Sequence, residues 1–264
     1  MTRTRSRLNR ALTDADTCMM TRLLRRAVPS LLTVALAASV ASAAPLTASA
    51  ATYTPPAFAA KVPATTTQVV RTVRTNQWCG TVYCTRTEAW RKANGQWRIV
   101  VRGDGSRAVF RSTIGPNGFA AIGKRREGDG KTPSGIYTIK VTFSTTATNP
   151  GTAMPWKRRK PTSVVPNYTN RYYNTWIEES WRRDGDRPSM RYGFWVGYNN
   201  PRLKVGVGPA PVYGLGSGIF YHTSPYGEKW TPTLACTKVG EPTQMRWIVR
   251  WLRPGANPRV ANNV

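Results

Sequence analysis

The chain has 264 residues, with 39 lysines and arginines against 12 aspartates and glutamates, a formal net charge of +27. This length is enough to bury one good hydrophobic core and excludes two large ones once an N-terminal leader is set aside. A single histidine and the absence of an acidic cluster at ligand spacing exclude a metal site, and no cofactor is expected.

Residues 1–43 are predicted to be a secretory signal peptide. A basic segment precedes an uncharged run, Ala27 to Ala44, of small and apolar residues, which is the order found in such signals. Cleavage after Ala43 is favoured over cleavage after Ala50, and Met20 offers an alternative start. The apolar run is shorter than the roughly 20 residues of a bilayer span. We therefore expect a secreted protein with no stable membrane anchor after cleavage.

The predicted export determines which polyanions are available to bind the basic surface. Residues 1–50 contain seven arginines and two aspartates, so the remaining residues carry a net charge of +22. Nucleic acid is the usual partner of so basic a chain, but export separates the protein from the nucleic acid of its host, and no nucleic-acid partner is expected. Anionic polymers outside the membrane are the predicted partners. The alternative is that the charge only maintains solubility.

Residues 44–70 are rich in Ala, Thr and Pro with little periodicity, which predicts a linker ahead of a folded domain over residues 71–264. Near the start of this domain, Cys79 and Cys84 are close enough in sequence to form a disulfide in an oxidising compartment. Cys236 is then unpaired. Its role stays open between an intermolecular partner, a buried inert residue and a reactive nucleophile.

Alternating apolar residues separated by turn signals predict a mainly β domain. The strongest signal is Asn94-Gly95, which predicts a hairpin over residues 90–101. A helix is predicted to open at Pro242, because apolar residues then recur at helical spacing as far as Leu252. Further strands are predicted at Ile136–Val141, Phe194–Tyr198, Lys204–Val207 and Gly218–His222. The fold class is therefore mainly β, with a sandwich-like or barrel-like sheet core and one C-terminal helix, or α+β by a strict count.

A charged, glycine-rich loop over residues 123–135 leads into the strand at Ile136. Its Gly130-Lys131-Thr132 sequence is not part of a phosphate-binding loop, because Arg125 stands where that pattern requires glycine. Pro133 also prevents the helix that would follow such a loop. Residues 142–192, which are polar and aromatic, predict an insertion over one face of the sheet.

Cys236 and His222 form a candidate nucleophile and base. A thiol is mostly protonated at neutral pH, so a catalytic cysteine needs a neighbour that accepts its proton. His222, the single histidine, ends the predicted strand Gly218–His222, and Cys236 follows 14 residues later, after a turn-rich loop. This spacing lets two neighbouring strand ends face one cleft. The competing interpretation is a structural histidine and an inert cysteine.

Three stretches resemble the YkuD-type L,D-transpeptidase family, over roughly residues 87–260. The stretches are Lys124–Tyr137, Gly216–His222, which ends in the family's catalytic histidine, and Pro232–Lys238, which is similar to the nucleophile motif. Within the last stretch, Thr233 fits the hydroxyl position, but Ala235 replaces a glycine and restricts the backbone. Lys238 replaces an arginine and lacks the bidentate fork. The polar ending Asn262-Asn263-Val264 predicts a curtailed final strand.

The resemblance implies a two-step acyl transfer on peptidoglycan stem peptides. Cys236 would attack the third residue of a tetrapeptide stem and release the terminal D-alanine, with His222 moving the proton. An amine of a second stem would resolve the thioester, and water in its place would make the protein an L,D-carboxypeptidase. Backbone amides near Cys236 would stabilise the oxyanion. The residues implied to support the oxyanion, the substrate or the imidazole are Thr223, Thr233, Ala235 and Lys238.

The departures at Ala235 and Lys238 favour a second interpretation. The chain would then be a non-catalytic or weakly active wall-binding domain of the same fold, which uses its basic and aromatic surface for adhesion. Retention of both Cys236 and His222 favours the enzyme. In either case the implied location is extracellular or associated with the cell wall.

Overall fold

The structure, a computed structural model, describes residues 53–79, 82–181, 188–224 and 231–264. The predicted signal peptide lies outside these ranges. Within them, no helix is both long enough and apolar enough to cross a membrane.

Strands dominate the described chain. The strands are β1 (Gln68–Cys79), β2 (Val82–Ala93), β3 (Gln96–Ile99), β4 (Val109–Thr113), β5 (Phe119–Ala120), β6 (Thr132–Pro133), β7 (Gly135–Ser144), β8 (Trp156–Arg158), β9 (Ser163–Val164), β10 (Ile177–Glu178), β11 (Tyr192–Val196), β12 (Phe220–Thr223), β13 (Thr237–Val239) and β14 (Arg259–Asn262). One α-helix, α1 (Pro242–Trp251), lies between β13 and β14, and short 3-10 helices span Pro188–Met190 and Pro254–Ala256. The prediction of a mainly β fold with one C-terminal helix is confirmed.

The main sheet closes on itself as a barrel. Its strands follow the order β1, β14, β7, β11, β12, β13, β4 and β2, and β2 pairs back onto β1. Most neighbours are antiparallel, but β1 pairs with β14 and β12 pairs with β13 in parallel. Closure leaves this ring without free edges, which protects it from pairing with other chains.

The predicted hairpin is present as β2 and β3. Asn94 and Gly95 both have positive φ, 49° and 76°, and join Ala93 to its partner Gln96. Two consecutive residues with positive φ match the right-handed twist of the flanking strands, and Asn-Gly adopts this conformation readily. The prediction from this dipeptide is confirmed.

The predicted helix is present as α1 and closes the core. Glu241 precedes it, and the side chain of Gln244 accepts a hydrogen bond from the Glu241 backbone N–H at 3.2 Å, as in a capping box. The apolar stripe that predicted the helix is buried in the same core cluster as Phe194 and Tyr221. The buried residues of this stripe are Met245, Ile248, Val249 and Leu252.

Side-chain alternation along β12 separates the core from a second face. Tyr221 points into the core, where its ring stacks on Phe194 with centroids 4.7 Å apart. Phe220 packs in a different cluster, with Trp176 from the predicted insertion and with Cys236. The insertion therefore covers the face of the sheet that carries Phe220, and His222 shares that face because it lies two residues further along the strand.

Part of the segment predicted as a linker packs against the β2–β3 hairpin. Phe58 is fully buried, and its ring makes edge-to-face contacts with Trp90 and Trp97 at centroid distances of 5.5 and 5.1 Å. The backbone N–H of Trp97 donates to the hydroxyl of Tyr53 at 2.7 Å. The domain boundaries assigned from the sequence stay predictions for the residues before 53.

The strand predicted at Lys204–Val207 is wrong, because this segment forms turns and bends. Gly206 and Gly208 have φ of +81° and +76°, a left-handed conformation that interrupts an extended strand. Pairing near this segment is limited to an isolated bridge between Arg202 and Thr175.

The final strand β14 ends at Asn262, so Asn263 and Val264 lie outside it as a curtailed strand predicts, but Asn262 itself is part of the sheet. β14 lies between β1 and β7, with Asn262 fully buried. The amide of Asn262 donates to the carbonyl of Pro133 at 3.1 Å, and its Oδ1 accepts a hydrogen bond from the hydroxyl of Tyr221. A buried polar side chain is tolerated when its hydrogen bonds are made, so the polar ending is compatible with a central strand.

Candidate active site

The parallel pair β12 and β13 brings His222 and Cys236 to one cavity. His222 is in register with Lys238, and Cys236 immediately precedes β13, two residues before Lys238. The backbone N–H of Phe220 donates to the Cys236 Sγ at 3.4 Å, and the thiol donates to the carbonyl of Gly218 at 3.4 Å. Both His222 and Cys236 line a cavity of about 670 Å³.

Segments that are distant in sequence form the walls of this cavity. Arg125 comes from the glycine-rich loop, Trp176 from the insertion and Ser189 from the 3-10 helix Pro188–Met190. Thr233 lines it from the segment that leads into Cys236. The cavity therefore lies on the outer face of the barrel, between the sheet and the insertion.

Two carbonyl groups fix the protonation state of the His222 ring. Nδ1 lies 2.9 Å from the carbonyl oxygen of Ser189 and 2.9 Å from that of Thr223. Carbonyl oxygens only accept hydrogen bonds, so Nδ1 carries the proton and donates to both. Nε2 is then the unprotonated nitrogen, available as a base. The backbone carbonyl of Thr223 is thus one of the two acceptors that hold the imidazole.

Burial favours the neutral form of both candidate groups. It lowers the pKa of His222 to about 4, and the positive charge of Lys238 adds to this effect. Burial also raises the pKa of the Cys236 thiol to about 11, although the charge of Arg125 acts in the opposite direction. At neutral pH the cavity therefore holds a thiol and a neutral imidazole. Because little thiolate is present in this state, the thiol proton has to be removed during attack.

A model of the YkuD family, described as the L,D-transpeptidase catalytic domain, matches residues 90–260. The chain belongs to this family. The match contains His222, Cys236 and the glycine-rich loop, and the family acts on peptidoglycan stem peptides. No curated protein and no solved structure matches the chain.

The hydroxyl that the L,D-transpeptidase motif supplies at Thr233 contacts backbone. Its Oγ1 donates to the carbonyl of Cys236 at 2.6 Å. Thr132, from the glycine-rich loop, donates through Oγ1 to the carbonyl of Ala235 at 2.8 Å and accepts from the N–H of Gly115 at 3.0 Å. These bonds hold the backbone next to the thiol, so both threonines position Cys236.

Alanine in place of the family's glycine causes no backbone strain at position 235. The non-glycine residues with positive φ in the described chain are all asparagines, so Ala235 is outside the left-handed region. Its side chain is buried. Replacement of glycine by alanine at position 235 is therefore compatible with the backbone conformation of the motif in this chain.

Lysine in place of the family's arginine keeps a positive charge in the cavity wall. Lys238 is buried, and its Nζ donates to the hydroxyl of Thr231 at 2.5 Å. An ammonium group in this position acts as a point charge and cannot provide the planar two-donor contact of arginine. The substitution thus keeps the sign of the charge in the cavity wall and removes the planar pair of donors.

Three residues of the site were not predicted from the sequence. Ser189 orients His222 from 33 residues earlier in the chain, a contact with no local sequence signal. Thr132 lies in the stretch that carries the family resemblance, which was the available clue. Arg125 is buried in the cavity wall although it belongs to a charged loop, where an exposed side chain is the usual expectation.

The structure describes the side chains of Cys84 and Cys236 but not that of Cys79. Cys236 is a free, partly exposed thiol. Cys79 ends β1, where its backbone pairs with Val82, but its side chain lies outside the described residues. The disulfide between Cys79 and Cys84 therefore stays a prediction.

The described residues contain no group of three or more His, Cys, Asp or Glu side chains that could hold a metal ion.

Proposed function

We propose that the protein is a secreted, cysteine-dependent L,D-transpeptidase that transfers acyl groups between peptidoglycan stem peptides. The observation that carries this proposal is the hydrogen bonding of His222. Two carbonyls hold the proton on Nδ1, which leaves Nε2 as a base in the cavity that contains the free thiol of Cys236. Covalent catalysis by a thiol requires a base that can accept its proton, and His222 lines the same cavity as Cys236.

The first step forms a thioester. The Cys236 Sγ bonds to the carbonyl carbon of the third residue of a tetrapeptide stem while the thiol proton moves to Nε2 of His222. Collapse of the tetrahedral intermediate breaks the bond to the terminal D-alanine, whose amine takes the proton from Nε2. The acyl group of the remaining tripeptide stays on sulfur, and the histidine returns to its neutral form.

The second step transfers this acyl group to an amine. The side-chain amine of a second stem attacks the thioester carbonyl and gives a proton to Nε2 of His222. The carbon–sulfur bond then breaks, and the Cys236 sulfur recovers its proton. Backbone N–H groups beside Cys236 are the proposed oxyanion donors, held in place by the bonds that Thr132 and Thr233 make to the same backbone.

The proposed site of action is the cell wall, outside the membrane. A predicted signal peptide directs export, and the excess of basic residues favours retention by anionic wall polymers. Peptidoglycan stems are present in that compartment. The proposed activity and the proposed retention by anionic wall polymers therefore both require a location outside the membrane, at the cell wall.

Product analysis tests the proposed reaction. We expect the mature protein, given a tetrapeptide donor and an amine-bearing acceptor stem, to form a cross-linked product that mass spectrometry detects together with free D-alanine. Tripeptide and D-alanine without cross-linked product would show an L,D-carboxypeptidase, because water then resolves the thioester. No release of D-alanine, together with sedimentation of the protein with purified walls, would support the wall-binding interpretation and contradict the enzyme.

A further inference from the structure

A guanidinium group is buried in the wall of the cavity. Arg125 lies in the glycine-rich loop, its side chain is 4% exposed, and it lines the same cavity as Cys236. Removing a charged group from water is unfavourable unless hydrogen bonds or opposite charges compensate for the loss. The contacts of Arg125 therefore show whether each of its hydrogen-bond donors has a partner.

The guanidinium keeps an unused donor within the described part of the chain. Its Nη1 donates to the carbonyl of Leu215 at 3.2 Å, but its Nε has no hydrogen-bond partner among the described residues. The nearest carboxylate oxygen recorded for it, Oδ1 of Asp129, is 3.9 Å from Nε, beyond hydrogen-bond distance. The Asp129 carboxylate instead accepts from the backbone N–H groups of Arg126 and Lys131 at 2.8 and 2.9 Å.

The backbone opposite Arg125 leaves room for the guanidinium. Gly216 has a φ of +113°, and a Cβ atom at this position would overlap the Nη1 and Cζ atoms of Arg125. Any other residue at 216 would displace the guanidinium from its place in the wall. The loop that carries Gly216 thus permits a buried arginine at the edge of the cavity.

The charge of the cavity favours an anionic occupant. Arg159 and Lys238 also line it and are also buried. Glu127 is the acidic residue among the described lining residues, and it accepts a hydrogen bond from the hydroxyl of Tyr173 at 2.9 Å. A planar guanidinium with a free donor is matched best by a carboxylate.

We propose that Arg125 is a specificity-determining residue that binds a carboxylate of the donor stem peptide while Cys236 attacks the peptide carbonyl. The inference rests on the function proposed above. The free carboxylates of a donor stem closest to the attacked carbonyl are the one on the terminal D-alanine and the one on a diamino side chain that carries it. Either would supply the acceptor that the Arg125 guanidinium lacks.

Peptide binding to the Cys236→Ala protein tests the subsite without chemistry. Isothermal titration is carried out with the free tetrapeptide, the peptide amidated at its terminal carboxylate and the peptide amidated at its side-chain carboxylate. Adding Arg125→Met should weaken binding of the free peptide about tenfold to a hundredfold, as expected when a charged hydrogen bond is lost. Lys124→Met, which removes an exposed charge from the same loop, should change it less than about twofold.

The amidated peptides identify the carboxylate. If Arg125 binds a given carboxylate, amidating that carboxylate should weaken peptide binding to the protein that retains Arg125 by the same factor as Arg125→Met. The same amidation should cause no further loss of affinity in the Arg125→Met protein. Arg125→Lys should recover part of the affinity, because it restores the charge without the planar fork. Since the amidated peptides act on a protein that keeps Arg125, this arm remains decisive if Arg125→Met fails to fold.

Equal affinity of all three peptides, equal effects of Arg125→Met and Lys124→Met, or no binding of any peptide would overturn the subsite. Thioester formation by the wild-type protein is measured separately by intact mass. An adduct together with binding insensitive to Arg125 would refute the subsite and leave the proposed function standing. Binding that depends on Arg125 without any adduct would support the subsite and contradict the proposed function.

Discussion

Replacement of His222 by alanine is expected to slow acylation of Cys236 by about 10²- to 10⁴-fold, the usual contribution of a positioned general base. The reason is the resting state of the pair. Burial raises the pKa of the Cys236 thiol to about 11, so little thiolate is present at neutral pH and the proton must be removed during attack. The measurement is the rate of adduct formation with a tetrapeptide donor, followed by intact mass. A loss smaller than about threefold would contradict a base role for His222.

The pH dependence of Cys236 acylation in the wild-type protein is a second test of His222 as the base. Burial lowers the pKa of His222 from 6.5 to about 4, so the base form persists above pH 4 and is lost as the pH falls through that value. We expect a nearly constant rate between about pH 5 and pH 9. A rate that rises tenfold per pH unit in this range would indicate reaction through a preformed thiolate and contradict general-base catalysis.

Folding has to be monitored in the acid part of this profile. The unfolded chain takes up a proton at His222 near its ordinary pKa of 6.5, whereas the folded chain does so near 4. The unfolded state therefore binds more protons between these values, and the folded state loses stability as the pH falls through this window. Circular dichroism recorded at each pH separates loss of the fold from loss of the base.

Phe194→Ala is expected to lower the free energy of unfolding by about 3–5 kcal/mol, as for other large-to-small changes in a core. Phe194 is fully buried in β11 and stacks on Tyr221 of β12 at a centroid distance of 4.7 Å. Because His222 follows Tyr221, a cavity here removes support from the strand that carries the base. Denaturant unfolding followed by circular dichroism measures the change.

Ile122→Ala is the matched control for the core substitution. Its apolar side chain is 67% exposed, so its removal should alter the free energy of unfolding by less than about 0.5 kcal/mol. A change below about 1 kcal/mol for Phe194→Ala would show that the stacked pair is not part of a tightly packed core.

The sequence predicted those parts of the fold that depend on local signals. Asn94-Gly95 specified a hairpin because both residues adopt positive φ readily. Pro242 and the apolar stripe that follows it specified α1 for similarly local reasons. Closure of the barrel could not be predicted in this way, because β1 pairs with both β2 and the distant β14.

The errors in the predicted fold also have physical causes. Lys204–Val207 has valines at alternate positions, but glycines at positive φ turn the chain there. Asn262 looked too polar for a central strand, yet hydrogen bonds to Pro133 and Tyr221 satisfy its side chain. Both outcomes depend on contacts or backbone angles that alternation of polarity does not encode.

For the candidate site, composition carried more information than local pattern. The single histidine and the cysteine left over from the predicted disulfide led to His222 and Cys236, and both line one cavity. Their supporting contacts come from distant segments: Ser189 holds the imidazole and Thr132 holds the backbone beside the thiol. Such contacts follow from the closed sheet and its insertion. Ser189 has no local sequence signal, and for Thr132 the only signal is the family resemblance of its stretch.

The most direct test of the central claim is the intact mass of the mature protein after exposure to a tetrapeptide stem. We predict a gain equal to the mass of the donor peptide minus its terminal D-alanine, with the added group mapped to Cys236 by peptide analysis under mildly acidic conditions. Cys236→Ala should show no gain. A reduced, folded wild-type protein that gains no mass, or an adduct that persists in Cys236→Ala, would contradict the proposal that Cys236 is the nucleophile of an acyl transfer.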